Sequence, residues 1–378
     1  MTYIAFRMLI GDRMKYIGLL FAVAFSTFLL QNQTSIFSNL MKRAGNQIRD
    51  VTDADVWVMA PKTGYFDETK PLQETDLFKV RSVPGTDFAV RMFKGLPIAN
   101  TRDGRFATCS VLGLDDTTLV GAPRNMILGD WRNLWKPNSV IIDKAGYLLL
   151  FPGKELKLGS ELELNDKLVT IVGISDALPA FTTFPLIHAR YSEALTFQGR
   201  QRQQLSFVLA RPREGVSPDE LATRIARETG LKALTTAQFQ WASVSYYLNN
   251  TGIPVNFGIT ILVAIIVGLV VTGQTFYLFI LENLRQFGAL KAIGVTNGTM
   301  LLMVVFQSLL VWFVGVGFGT ALSATFFNIS PFVIQLRHFI LFWESAVGVA
   351  VFMLLVIGLA SSAGLIRVIR LQPAEVFR

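Results

Sequence analysis

The chain has 378 residues, a net charge of +8 and 51% hydrophobic residues. Only 16% are charged, against roughly 25% in a soluble protein. A single cysteine, Cys109, excludes an internal disulfide framework and a cysteine-built zinc cluster. Two histidines far apart in sequence, His188 and His338, lack metal-ligand spacing. The basic residues form no run, so the positive balance points to membrane topology rather than to nucleic acid.

A membrane helix needs about 20 mostly apolar residues, and the first candidate covers 16–37, cleanest over 16–30. Arg13 and Lys15 precede it, as charges precede a signal peptide. However, Ala22 and Ala24 fall inside the apolar run, and Gln31-Asn32-Gln33-Thr34 holds no small-x-small pair. The segment is therefore expected to remain as an anchor.

Residues 38–256 form the only large polar stretch, long enough for a core of their own and for two lobes. Strands are predicted at 56–59, 88–92, 106–112, 139–142 and 206–210. Helices are predicted at 75–82, ended by Pro84-Gly85, and at 218–229, ended by Gly230. Between 156 and 172, apolar residues alternate (Leu162, Leu164, then Leu168, Ile171), with turns at Gly159 and Asn165-Asp166. A small β-rich lobe inserted into an α+β domain fits this pattern. Adjacent Asp115-Asp116 reads as a solvated turn rather than an acid/base pair. Trp131, Trp135, Phe181, Phe184 and Phe197 suit either domain core or an exposed apolar site for lipid or a partner protein.

Three more spans are predicted at 257–281, 300–327 and 339–366. Gly315, Gly317 and Gly319 in the third permit close helix packing. No charged residue lies well inside any span; Glu344 sits near the start of the fourth, and Gln274 and Gln307 cannot titrate. An ion-coupled carrier needs buried ionisable groups, so energy is expected to enter from elsewhere. With four spans, Arg7, Arg13, Lys15, Arg285, Lys291, Arg367, Arg370 and Arg378 fall on one side, and only Arg337 marks the connector between spans three and four. Both termini are thus expected in the cytoplasm and 38–256 outside.

The connector after span two begins helically with Glu282-Asn283-Leu284-Arg285. Gly288 permits a bend. Residues 289–293 can add a short turn with Leu290 and Ile293 on one face, ended by Gly294. Such an element either sits in a partner's groove or lies on lipid. G-x-x-x-x-G-K-[ST], G-x-S-x-G and H-E-x-x-H are all missing, so a non-catalytic chain is expected.

Arg285-Gln286-Phe287-Gly288-Ala289-Leu290-Lys291-Ala292-Ile293-Gly294-Val295-Thr296 resembles the R-E-I-G-x-L-(R/K)-A-I-G-A-(T/S) signature of FtsX/MacB-type ABC transporter permeases. Arg367-Val368-Ile369-Arg370-Leu371-Gln372-Pro373-Ala374-Glu375-Val376-Phe377-Arg378 resembles that family's terminal R-x-x-P-A-E-x-L-R. Phe287 departs from the usual isoleucine but keeps an apolar residue before glycine. Ala233-Leu234-Thr235-Thr236-Ala237-Gln238-Phe239 and Tyr246-Tyr247-Leu248-Asn249-Asn250-Thr251-Gly252-Ile253-Pro254 are similar to the DevC-like branch.

The resemblance covers the whole chain. It implies an α-helical membrane protein with four transmembrane helices and a large α+β extracytoplasmic domain, MacB-like with an inserted β-rich lobe. The parts are 1–37 (N-terminus and first span), 38–256 (external domain), 257–366 (three spans, with a coupling loop at 282–298) and 367–378 (tail). The implied role is the permease subunit of a type VII exporter in the bacterial inner membrane, acting by mechanotransmission on an amphiphilic or lipid-like substrate. The implied partners are a second copy of the chain, two copies of a separate ATPase that binds ATP and Mg, a periplasmic membrane fusion protein, a TolC-like channel and membrane lipid; no cofactor or nucleic acid is expected on this chain. ATPase coupling would fall to Arg285, Phe287, Leu290, Lys291, Ala292, Ile293 and Gly294, with Arg370, Pro373, Ala374 and Val376 anchoring the tail. The alternative is an FtsX-like signalling or scaffold subunit that activates a periplasmic cell-wall hydrolase.

Overall fold

The computed structural model describes residues 2–198, 205–330 and 339–370. They divide into two units, one of 2–39, 252–330 and 339–370, the other of 40–198 and 205–251. The chain opens with α1 (Thr2–Gly11), for which no helix was predicted, and continues into α2 (Arg13–Arg43).

The second unit is built on one mixed sheet. In chain order its elements are α3 (Asn46–Arg49), β1 (Val56–Met59), α4 (Glu74–Ser82), β2 (Thr86–Gly95), β3 (Ile98–Asn100), β4 (Phe106–Thr108), β5 (Ser110–Leu114) and β6 (Met126–Gly129). A 3-10 turn at Trp131–Trp135, β7 (Ser139–Asp143), α5 (Lys144–Leu150), β8 (Glu161–Leu164), β9 (Lys167–Ser175), β10 (Leu186–Arg190) and α6 (Tyr191–Thr196) follow. The unit closes with β11 (Phe207–Pro212), α7 (Pro218–Thr229), β12 (Lys232–Thr235) and α8 (Thr236–Asn250). The strand order is β12-β1-β11-β2-β5-β10-β7-β9-β8-β3-β4, with β6 paired to β9. β10 runs parallel to β5, and β7 parallel to β9; the remaining pairs are antiparallel.

Local chemistry explains several of these elements. α7 starts where Ser217 accepts from the Glu220 amide and Pro218 presets the first turn, and it stops at Gly230 in the left-handed region (φ 70°). The β8–β9 turn uses Asn165 and Asp166, both at positive φ, which matches strand twist in a two-residue hairpin. In β1 successive side chains face opposite sides. Val56 and Val58 join the core containing Leu77, Val80, Leu221 and Ile225, whereas Trp57 and Met59 join the core containing Ile48 and Phe239. Both faces are covered, so β1 is apolar throughout.

Other expectations change. The run 106–112 is not one strand but two, broken at Cys109. β4 pairs with β3, while β5 enters the central sheet between β2 and β10. Asp115 is not solvated; it is buried and accepts from the hydroxyl and amide of both Thr117 and Thr118. The five aromatics do not gather into one site: Trp131 pairs with Trp135, Phe181 stacks on Tyr247 at 3.9 Å, and Phe197 is core.

The first unit is a helix bundle of α1, α2, α9 (Ile253–Glu282), α10 (Leu284–Ala292), α11 (Asn297–Ile329) and α12 (Trp343–Arg370). Four helices have the length and apolarity to cross a membrane: Arg13–Arg43, Ile253–Glu282, Asn297–Ile329 and Trp343–Ser362. α2 turns its hydroxyls and amides inward. Ser26 faces Thr272 at 3.3 Å, Gln31 donates to Thr320 at 2.9 Å, and Thr34 bonds Ser345. Of the three glycines flagged in α11, two provide the close approach. A Cβ at Gly315 would stand 2.6 Å from Val23, and one at Gly319 2.6 Å from the Ala24 carbonyl oxygen; Gly317 faces open space. Buried Gln307 donates to the Ala5 carbonyl at 2.8 Å and fixes α1 to α11.

Candidate functional site: the α9–α10 joint

α9 ends at Glu282. The Asn283 side chain donates to the Phe279 carbonyl at 2.8 Å, which caps α9 while the chain turns into α10. Gly288 makes no bend; it lies buried inside a continuous nine-residue helix. Gly294 ends that helix as expected, at φ 92°, with its amide donating to the Lys291 carbonyl.

The helix has two unlike faces. Phe287 is 1% exposed, within the bundle core that includes Leu9, Phe279 and Met300. This corrects the expectation that Phe287 touches a partner: its ring is enclosed by its own bundle and holds α10 in place. Arg285, Gln286, Ala289, Ala292 and Gly294 are exposed, and Ile293 is 79% exposed. Leu290 and Lys291 are half-buried. Leu290 and Ile293, expected on one face, differ in exposure: Leu290 is half-buried and Ile293 is open. The outer face combines Arg285, an apolar Ile293 and small alanines, a surface suited to an acidic groove.

At the base of the bundle, Lys15 Nζ lies 3.0 Å from Glu282 and 3.2 Å from Asp12. The start of α2 is thus paired with the residue that ends α9, just before α10. Sequence reasoning missed this pair because nothing local links two residues so distant along the chain. Arg370 closes α12; Pro373, Ala374 and Val376 lie outside the described residues.

The strongest shifts in proton affinity belong to the sheet unit. Burial lowers His188 to about 4 and raises Asp143 to about 6. Asp143 accepts from the Leu186 amide at 2.7 Å and the Gly146 amide at 3.2 Å, so it caps α5 and ties it to β10. Burial also pushes Cys109 up to about 12, which makes it an unreactive thiol. Among the described residues, no three His, Cys, Asp or Glu side chains group to hold a metal.

Residues 258–373 match the family described as FtsX-like permease C-terminal, and residues 17–228 match MacB-like periplasmic core domain. An uncharacterised ABC transporter permease of Mycobacterium tuberculosis, found in two strains, is 23% identical over 371 residues, which cover 93% of each chain. Two solved structures are similar at low scores. The extracellular domain of the noncanonic ABC-type transporter YknZ from Gram-positive bacteria is 14% identical, with a TM-score of 0.35 over 48% of this chain and 98% of that one. The periplasmic region of MacB from Actinobacillus actinomycetemcomitans is 12% identical, with a TM-score of 0.37 over 54% and 96%. The periplasmic-core match alone spans more than half of the sequence, and with the permease match behind it the chain belongs to the FtsX/MacB family of ABC transporter permeases.

Proposed function

We propose that this permease couples ATP turnover in a separate ATPase to work done by its sheet unit, as part of a type VII exporter. The observation that carries this reading is the joint at the base of the bundle. α10 offers an open basic and apolar face, its buried Phe287 grips the bundle, and Glu282 beside it is paired with Lys15 of α2. A push on α10 therefore bears on α9 directly and on α2 through that pair, and these two helices flank the sheet unit in sequence. In this reading ATP and Mg belong to the ATPase, two copies of which face two copies of this chain. Arg285, Leu290, Lys291, Ala292, Ile293 and Gly294 form the docking face, and Arg370, Pro373, Ala374 and Val376 are expected to anchor the tail.

The bundle interior supports an outside energy source. Among the described residues it is lined by hydroxyls and amides such as Ser26, Thr27, Gln31, Thr272 and Gln307, none of which changes charge. The termini and α10 lie in the cytoplasm of a bacterial inner-membrane protein, where the basic residues cluster. An amphiphilic cargo, already outside that membrane, passes to a membrane fusion protein and a TolC-like channel; the DevC-like resemblance supports these partners.

The test is Lys291→Asp combined with Ile293→Asp, which reverses one charge on α10 and adds another on its open face. Export should fall at least about tenfold, the effect of losing ~1.4 kcal/mol of coupling, while the purified permease keeps its unfolding temperature. Normal export by this variant would exclude α10 as the coupling element. Capture of a peptidoglycan hydrolase in place of a fusion protein would move the assignment to the signalling alternative.

A further inference from the structure

A cleft of about 520 Å³ opens where α1 meets the end of α9 and the start of α10. α1 is held at this place because Ala5 and Leu9 are buried and Gln307 binds the Ala5 carbonyl, which leaves Tyr3, Ile4 and Arg7 exposed. The cleft has an apolar part, Ile4, Met8 and Phe279, and a charged part, Arg7, Asp12, Lys15 and Glu282. Lys15 and Glu282 stand where the apolar runs of α2 and α9 end, and Phe279 lies about one turn further in. The cleft thus straddles the level at which hydrocarbon gives way to lipid headgroups.

Its charges are separated. Asp12 and Glu282 share the single ammonium of Lys15, at 3.2 and 3.0 Å, so this group keeps one net negative charge. Arg7 enters no ion pair among the described residues; its Nε donates to the Tyr3 hydroxyl at 3.0 Å, and its remaining N–H groups are available. A simple anion would meet Arg7 but be repelled by the carboxylates, and a simple cation would meet the reverse. A headgroup with a phosphate and an ammonium a few bonds apart satisfies both, and its acyl chains cover Ile4 and Met8.

We propose that this cleft binds one zwitterionic phospholipid of the phosphatidylethanolamine type, with the phosphate on Arg7 and the ammonium against the carboxylate oxygens of Asp12 and Glu282 that face away from Lys15. The lipid would lie against Asn283 and Gln286 and form a side wall of the α9–α10 joint. The proposal rests on the membrane placement of the bundle and not on the coupling role of α10.

The test uses the full-length permease without its ATPase, in nanodiscs of equimolar phosphatidylethanolamine and phosphatidylglycerol, with retained lipid read by native mass spectrometry. The wild type should retain phosphatidylethanolamine in preference. Arg7→Gln should lower that retention about fivefold, the effect of one basic side chain at a headgroup layer. Asp12→Asn with Glu282→Gln leaves Arg7 and Lys15 unopposed and should reverse the preference toward phosphatidylglycerol, a switch that loss of structure alone would not produce. If that double variant fails to fold, Glu282→Gln alone should weaken the preference. Wild-type retention blind to headgroup, or a preference unchanged in the carboxylate variants, would overturn the proposal. Neither result bears on α10, whose variants are read by export.

Discussion

The sheet unit and the helix bundle are packed by opposite rules. In the sheet unit Trp57 is fully enclosed, with Phe66, Phe207 and Phe239 at centroid distances of 5.8, 5.6 and 5.6 Å. In the bundle, large apolar side chains such as Phe313 and Phe318 point outward, while Thr27, Gln31 and Gln307 are enclosed. Water drives apolar surface together in the first case. Lipid gives no such drive between helices, so the bundle closes through glycine contacts and hydrogen bonds across helices. Residue burial in this protein therefore has two meanings, depending on which solvent surrounds the unit.

Two pairs of substitutions would break or sharpen that contrast. The largest effect is expected for Trp57→Ala, which should cost about 3–5 kcal/mol by emptying a closed aromatic cluster. Phe318→Ala, an equally drastic truncation on the outer face of α11, should leave stability in detergent almost unchanged. Equal losses in denaturant unfolding would show that Phe318 is core. Next comes Gly319→Ala, expected to cost about 1–3 kcal/mol because the new methyl meets the Ala24 carbonyl oxygen. Gly317→Ala, into open space, serves as the control, and a similar fall in unfolding temperature for both would refute the glycine contact between α2 and α11.

The smallest effect concerns pH. His188 titrates near 4 when folded and near 6.5 when unfolded. Well above pH 6.5 the ring is neutral in both states and has no effect. Below that, the unfolded chain takes up the proton first, so the sheet unit loses stability as pH falls from 6.5 toward 4. Between pH 7 and 5.5 the loss amounts to about 1 kcal/mol. His188→Gln should remove this contribution, and urea midpoints of the two proteins measured at the two pH values would check it. The raised Asp143 works against it, since its folded form takes up a proton first as pH falls through about 6. An Asp143→Asn background would therefore make the histidine effect steeper.

Several features were legible because their signals are local. The four apolar runs, the 218–229 helix with its stop at Gly230 and the Asn165-Asp166 hairpin each depend on neighbours within a few residues. Two helix starts carried signals that went unread: Gln73 with Asp76 before α4, and Thr235 with Gln238 before α8, both reciprocal capping boxes. The division of 106–112 at Cys109 was not legible, because the alternation from Ala107 to Val111 runs straight across it. Only the strand pairings, β5 with β2 and with the distant β10 and β4 with β3, separate β5 from β4.

The docking face divides in the same way. The sequence by itself determined that a short basic helix stands between two membrane spans, that Gly294 ends it, and that the chain carries the FtsX/MacB pattern, since length, charge and turn chemistry are properties of the local chain. Only the tertiary structure decided that Phe287 faces inward, that Gly288 does not bend, that α1 is clamped by Gln307 and that Lys15 reaches Glu282. These depend on which helices lie side by side, and lipid leaves that choice to close packing and hydrogen bonds between residues hundreds of positions apart.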